Sequence, residues 1–294
     1  MVTSPVKNNM IEDSNNIYKI NPIIDIKNLH FWYPDGTYAL RGINLQVFDG
    51  DFIAIVGKNG SGKTTLAKII AGLLKPKKGS VILFGKNLLH ISRKEHIKLV
   101  GYSFQNPDHQ LFCESVREEL SFGPKNLHLN KKEIEMRVKE VAKMLDLEEY
   151  LDEHPFFLSK GLRLRVAVES ILTMRPKVII VDEPTTGQDW MQSVELMNLL
   201  KQLNSEGKTI IFLTHHMRYV AEFADRCIVM LDGRKIMDVP TRDAFSRFDY
   251  LELSYAKPPP VSLLTYKLFG VVALNMDEAV EIIKKQVIPN TSYR

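Results

Sequence analysis

The stretch FIAIVGKNGSGKT, Phe52 to Thr64, decides the fold. Its first five residues form an unbroken apolar run, the pattern of a short strand buried on both faces of a sheet. A glycine-rich turn follows, and then Leu66, Ile69, Ile70 and Leu73 recur at helical spacing. Gly57 to Thr64 fits G-x-x-x-x-G-K-[ST] between a strand and a helix, the context that gives the motif its meaning. Glycines let the backbone curl so that its N–H groups point at phosphate oxygens, and the helix N-terminus adds partial positive charge. Lys63 is placed to reach β- and γ-phosphates, the Thr64 hydroxyl to ligate Mg²⁺, and Thr65 to bond the α-phosphate. The expected nucleotide-binding set here is Gly57, Asn59, Gly60, Ser61, Gly62, Lys63, Thr64 and Thr65.

Working outward, VIIVDEP (Val178 to Pro184) is a second buried-strand run, ending in two acids. Acids at the carboxyl edge of such a strand lie where open α/β sheets bind ligands. Asp182 is expected to help hold Mg²⁺, and Glu183 to polarise the attacking water. TIIFL (Thr209 to Leu213) and CIVML (Cys227 to Leu231) are further runs of the same kind. Helical patterns between them imply crossover connections and a largely parallel sheet. Asp232-Gly233 reads as a hairpin turn. Upstream, IIDIKNLHFWY and YALRGINLQVF are strand-like and flank a turn at Pro34-Asp35-Gly36. A helical block occupies residues 113 to 174. Within it Asn130 and Glu133 resemble a capping box ahead of the stripe Ile134, Val138, Val141 and Leu145.

Composition narrows the class. The 294 residues suit one main domain with a small appendage. Lys plus Arg is 39 against 35 for Asp plus Glu, and an excess of +4 spread along the chain argues little for nucleic acid, so no nucleic-acid partner is expected. Cys113 and Cys227 match no metal or C-x-x-C spacing and read as free thiols of a reducing compartment. The N-terminus has no apolar segment of a secretory signal, and no run approaches the ~20 residues a membrane helix needs. Any membrane role is therefore expected to come through a partner.

Further features complete a set: Tyr33 in FWYPDG, Gln105 in SFQNPDHQLF, LSKGL (Leu158 to Leu162), TTGQD (Thr185 to Asp189) and His215 in LTHH. In this order, with the phosphate loop and VIIVDEP, they resemble the ATPase subunits of ATP-binding-cassette (ABC) transporters over roughly residues 22 to 240. The resemblance implies an α/β fold with a P-loop core, an antiparallel β subdomain and an inserted helical subdomain at about 106–174. It implies ATP and Mg²⁺ as cofactors, with catalysis by Glu183, His215, Gln105 and Lys63. Tyr33 would stack on adenine. Gln105 would sense the ion and the attacking water while coupling to the membrane subunit, and His215 would contact the γ-phosphate. Thr64, Gln105 and Asp182 would serve the metal, and Thr186 to Asp189 would talk across a dimer.

QNPDHQLF, followed by VREELSFGPKNL, is very like the energy-coupling-factor importers of vitamins and transition metals. Their ATPases follow this stretch with an acidic helix and a phenylalanine-glycine-proline turn. The Pro-rich tail after Asp249, with a last amphipathic helix near Met276 to Val287 capped by Asn275, is similar to that family's C-terminal dimerisation extension. The chain is thus expected to divide into a loose extension (1–21), an ATPase domain (22–240) and a dimerisation extension (241–294). The implied partners are a second ATPase subunit, a transmembrane coupling subunit and a substrate-capturing membrane protein, at the cytoplasmic face of the membrane. Another ABC transporter ATPase, or a non-transport ABC ATPase, is the alternative.

LSKGL departs from that family's LSGGQ or LSGGE. Ser159 and Gly161 are kept, and by resemblance they close over the γ-phosphate held by the other subunit. Lys160 replaces a glycine and Leu162 a polar residue. If position 160 needs a left-handed backbone, lysine costs about 1 kcal/mol relative to glycine. A hydrogen bond lost at 162 costs roughly 0.5–1.5 kcal/mol. Together these would slow turnover by roughly one to two powers of ten. Lys160 either offers its ammonium to the γ-phosphate or points into solvent. With a weakened signature beside an intact phosphate loop, the family resemblance favours a heterodimer over a homodimer.

Overall fold

The computed structural model describes residues 21–254 and 256–287. The expected N-terminal extension lies outside the described residues except for Asn21, as do the last residues of the expected C-terminal extension.

Two sheets meet in the molecule. The first is antiparallel and is built from β1 (Ile24–Trp32), β2 (Tyr38–Val47), β4 (Lys78–Leu83) and β5 (Lys86–Asn87), in the order β2-β1-β4-β5. The second contains β3 (Phe52–Val56), β6 (Val100–Ser103), β7 (Val178–Asp182), β8 (Thr209–Thr214), β9 (Arg226–Leu231) and β10 (Arg234–Pro240). Its order is β10-β9-β3-β8-β7-β6, parallel except for β10, which pairs antiparallel with β9. The connection from β9 to β10 is the Asp232-Gly233 turn, where both residues have positive φ (46° and 78°), as a tight hairpin requires.

The apolar runs are continuous because each parallel strand feeds two cores. Phe52, Ala54 and Val56 face one cluster, with Val181, Phe212 and Val229. Ile53 and Ile55 face the other, with Ile180, Leu213 and Met230. α6 (Trp190–Ser205) and α7 (Met217–Phe223) cover the first face. α1 (Lys63–Ile70) and the antiparallel sheet cover the second. α1 stops one turn earlier than its apolar spacing suggests. Gly72 takes φ 69°, and Leu73 is 51% exposed instead of joining the buried stripe.

A third, separate core holds the helical block. α2 (Arg93–Leu99) precedes β6, and α3 (Val116–Asn126), α4 (Lys131–Ala142) and α5 (Lys160–Leu172) follow it. Asn130 caps α4 by accepting from the Glu133 N–H at 2.9 Å, but the Glu133 carboxylate turns to Arg137, so only half of the capping box forms. Phe122-Gly123-Pro124 is no turn: it lies inside α3, which runs on to Asn126. Gly123 makes room there for Met174, whose Cγ would be 2.7 Å from a Cβ at that position. α5 bridges two cores, giving Val166 and Ala167 to the helical block and Leu164, Val168 and Ile171 to the main one.

After β10 come α8 (Thr241–Ala244), α9 (Phe248–Leu253), α10 (Pro260–Phe269) and α11 (Met276–Val287). Asn275 accepts from the Glu278 N–H at the start of α11. Phe245, Leu251 and Val272 join the main core, and Arg242 grips Glu278 with two hydrogen bonds of 3.0 and 2.9 Å.

Candidate nucleotide-binding and hydrolysis site

Between β3 and α1 the loop is pressed against neighbouring backbone. A Cβ on Gly57 (φ 145°) would lie 2.2 Å from the Met230 carbonyl oxygen, and one on Gly62 (φ 100°) would lie 2.6 Å from that of Ala39. No side chain fits at either place. The N–H groups of Asn59, Gly60 and Gly62 find no acceptor among the described residues. The first N–H groups of α1 are unsatisfied by helix geometry. The Ser61 hydroxyl is buried without a partner. Lys63 folds back, donating to the Gly57 carbonyl (2.7 Å) and the Lys58 carbonyl (3.1 Å). Burial lowers its pKa, against the opposing pull of Glu183 and Asp182. A ring of unused donors around a half-desolvated cation suits a polyphosphate.

Two carboxylates face this cradle from β7 and its end. Asp182 is buried and accepts from the Tyr102 hydroxyl at 2.9 Å. Burial raises its pKa, while hydrogen bonds from Thr64 and Tyr102 and the charges of Lys63 and Lys68 work to lower it. Glu183 follows in a left-handed conformation (φ 53°), its N–H held by the Leu213 carbonyl at 2.9 Å. Its Oε1 accepts from His215 Nδ1 at 3.0 Å, and its Oε2 is buried without a partner. One oxygen is therefore fixed and the other is unpartnered. No group of three or more His, Cys, Asp or Glu side chains is arranged to hold a metal ion among the described residues. A divalent ion beside Asp182 and Thr64 would draw most of its shell from phosphates and water, the regime Mg²⁺ prefers.

Tyr33 is half-buried, with its hydroxyl 3.0 Å from the Thr65 hydroxyl and its ring edge-on to Phe31. This brings the hydroxyl end of the ring to the phosphate loop. Gln105 is exposed and makes no side-chain hydrogen bond among the described residues. Gln110, which the sequence did not single out, fixes the loop instead. It accepts from the Phe104 N–H and donates to the Ala167 carbonyl (2.6 Å) and the Ser170 hydroxyl (3.0 Å). Tyr102 was equally silent: its partner lies 80 residues away.

No hydrogen bond, ion pair or ring contact links Ser159, Lys160 or Gly161 to the chain's own phosphate loop. Ser159 caps α5, its hydroxyl accepting from the Leu162 N–H at 3.3 Å. Lys160 is the first residue of that helix and is absent from the positive-φ residues, so it bears no left-handed strain. Its stem lies over Gly187, with Nζ 3.1 Å from where a Cβ would stand there. The side chain is exposed and rests along its own TTGQD loop. Leu162 packs against the helical-block core, so its apolar character serves packing.

The sequence model of the ABC transporter family matches residues 40–186. The chain is 41% identical to the energy-coupling factor transporter ATP-binding protein EcfA of Methanocaldococcus jannaschii, over 82% of this chain and 88% of that protein. The chain belongs to the ABC transporter family of ATPases. A protein of Caldanaerobacter subterraneus subsp. tengcongensis, provisionally named an ABC transporter ATP-binding protein, is 48% identical over 90% of the chain. The chain spans about half the length of that relative, 46%. Among solved structures, cbiO1 of Clostridium perfringens, part of the ABC transporter complex cbiONQ, superposes with a TM-score of 0.70. It is 37% identical, and the match covers 83% of this chain and 99% of that one. A dimeric ATP-binding cassette in a post-hydrolysis state, bound to ADP and Pi, superposes at 0.69 with 29% identity, over 74% of this chain and 99% of its own. The fold is that of an ABC ATPase, and ABC ATPases bind ATP.

Proposed function

We propose that this chain is the ATP-hydrolysing subunit of an energy-coupling-factor type ABC importer, powering uptake of a vitamin or a transition-metal ion. The observation that carries the hydrolytic part is the Glu183 carboxylate, with one oxygen held by His215 and the other buried and free. Such a carboxylate can take a proton from a water aligned on the γ-phosphate. The loop donors and Lys63 grip the phosphates, the Thr64 hydroxyl and Asp182 serve Mg²⁺, and the Tyr33 ring packs on adenine. Mg²⁺ held there would neutralise phosphate charge. Ser159 and Gly161 act on the nucleotide of a second ATPase subunit, with a heterodimer favoured.

The importer type is supported by the likeness to EcfA and to a protein of the cbiONQ complex. No helix among the described residues is long and apolar enough to cross a membrane. Membrane attachment is therefore assigned to partners: a coupling subunit and a substrate-capturing protein. Phe112 (62% exposed) and Phe122, packed edge to face at 4.8 Å, offer an apolar contact for the first of these. α10 and α11 are assigned to contact with the second ATPase.

Affinity purification of the chain from membranes, with every co-purifying subunit identified, tests the reading. The expected set is a second ATPase, a coupling subunit and a small membrane protein without ATPase motifs. Recovery with two large transmembrane subunits and no separate capture protein would point to another ABC transporter class.

A further inference from the structure

The first turn of α6 is where three parts of the site cross. It starts as the loop Thr185–Asp189 ends, and Asp189 caps it by accepting from the Gln192 N–H at 2.8 Å. Gln192 lies against the start of α5: a Cβ on Gly161 would be 2.5 Å from Gln192 Oε1. Trp190, 44% exposed, packs on α7. The Arg218 guanidinium sits 3.6 Å from the centre of the Trp190 ring, and Tyr219 stacks on it at 5.3 Å with the planes 22° apart. Tyr219 meets the His216 ring edge-on at 6.3 Å, His216 lies 4.0 Å from the His215 ring, and His215 bonds Glu183. A run of ring contacts thus joins the first residue of α6 to the carboxylate. A half-exposed indole held by a guanidinium and a phenol loses the freedom of its ring. The same contacts fix α7, on whose threshold His215 and His216 stand.

We propose that Trp190 is a positioning residue for the Glu183–His215 pair, locking α7 to the first turn of α6. A shift at the start of α5, felt by Gln192, then reaches the hydrolytic pair within one chain. The inference rests on the hydrolytic reading of Glu183 and His215. It predicts that Trp190 acts on turnover and leaves nucleotide affinity alone, because none of its partners belongs to the phosphate loop.

The test uses the chain purified with its co-expressed partner subunits. Trp190→Ala is expected to lower kcat about ten- to a hundredfold, the scale of a misplaced group, with KM for ATP little changed. Trp190→Phe is expected to recover most of that loss. Unchanged kcat in Trp190→Ala overturns the proposal, and so does a loss that Trp190→Phe fails to relieve. Arg218→Ala alters an exposed side chain and guards against misfolding: it should lower kcat in the same sense, and an unchanged kcat counts against the proposal. A readout independent of turnover uses the full chain purified without partners, whose tryptophan count is two. In Trp32→Phe combined with Glu183→Gln, the emission of Trp190 should change on adding Mg-ATP, and indifference overturns the link. Near-normal turnover in Glu183→Gln alone would instead strike the hydrolytic reading. A dead Glu183→Gln beside a normal Trp190→Ala would strike only this inference.

Discussion

The carboxyl edge of the parallel sheet and the start of α5 treat their functional residues in opposite ways. At the sheet edge, Lys63, Asp182 and Glu183 are buried and cross-linked by Tyr102, His215 and backbone. At the start of α5, Ser159 and Lys160 are exposed, and the Ser159 hydroxyl has one local bond, to its own helix. Groups that grip and cut a phosphate must be preorganised before it arrives. Groups that serve a second subunit need an open face until that subunit comes. Under the proposed function, one chain therefore holds a nearly finished site and an unfinished one.

The largest expected effect strikes the finished side. Glu183→Gln should keep ATP binding and lower hydrolysis by ~10²-fold or more, read by turnover beside equilibrium nucleotide binding. Parallel loss of binding would mean that the carboxylate shapes the cradle instead of serving the water.

Next comes the buried end of α5. Glu169 is fully buried, with neither side-chain oxygen in a well-formed hydrogen bond, and burial raises its pKa to about 9, with the nearby Leu145 backbone and then Arg165 opposing. The folded state therefore keeps a proton that the unfolded chain releases above its ordinary carboxyl range. This contribution is whole below about pH 4.3 and is lost progressively as pH rises to about 9. Glu169→Gln should thus be more stable than the parent at pH 8, by about a few kcal/mol, with the gap closing near pH 5. Denaturant melts at both pH values decide it, and an equal shift at each would mean that Glu169 is ionised when folded.

Two smaller tests sharpen the contrast at the open side. Ser159→Ala removes the cap of α5 and should cost about 0.5–2 kcal/mol in a denaturant melt. Lys160→Gly should alter turnover of the assembled complex by less than about threefold, roughly 0.6 kcal/mol of barrier, because no left-handed strain is there to relieve. A tenfold gain would restore the view that the lysine damages the signature.

What the sequence revealed was chemistry written in consecutive residues. FIAIV, the glycine loop and VIIVDEP each carry their own explanation, and the two-core sheet follows from runs with no polar alternation. What it concealed depends on residues that meet only in space. Tyr102 looks like any strand tyrosine until β6 lies beside β7. Leu162 reads as a lost polar contact until the helical core closes on it. Phe122-Gly123-Pro124 reads as a turn, because glycine and proline break helices in isolation. Packing of Gly123 against Met174 overrides that preference. The cost assigned to Lys160 assumed a backbone shape that spacing alone could not supply.

Strand β6 leaves one more consequence. Its Tyr102 holds Asp182, and only Ser103 and Phe104 separate that tyrosine from Gln105. Gln110 staples the same segment to α5. The exposed loop at Gln105 is therefore moored on both sides, by Tyr102 to the carboxylate beside the phosphate cradle and by Gln110 to α5.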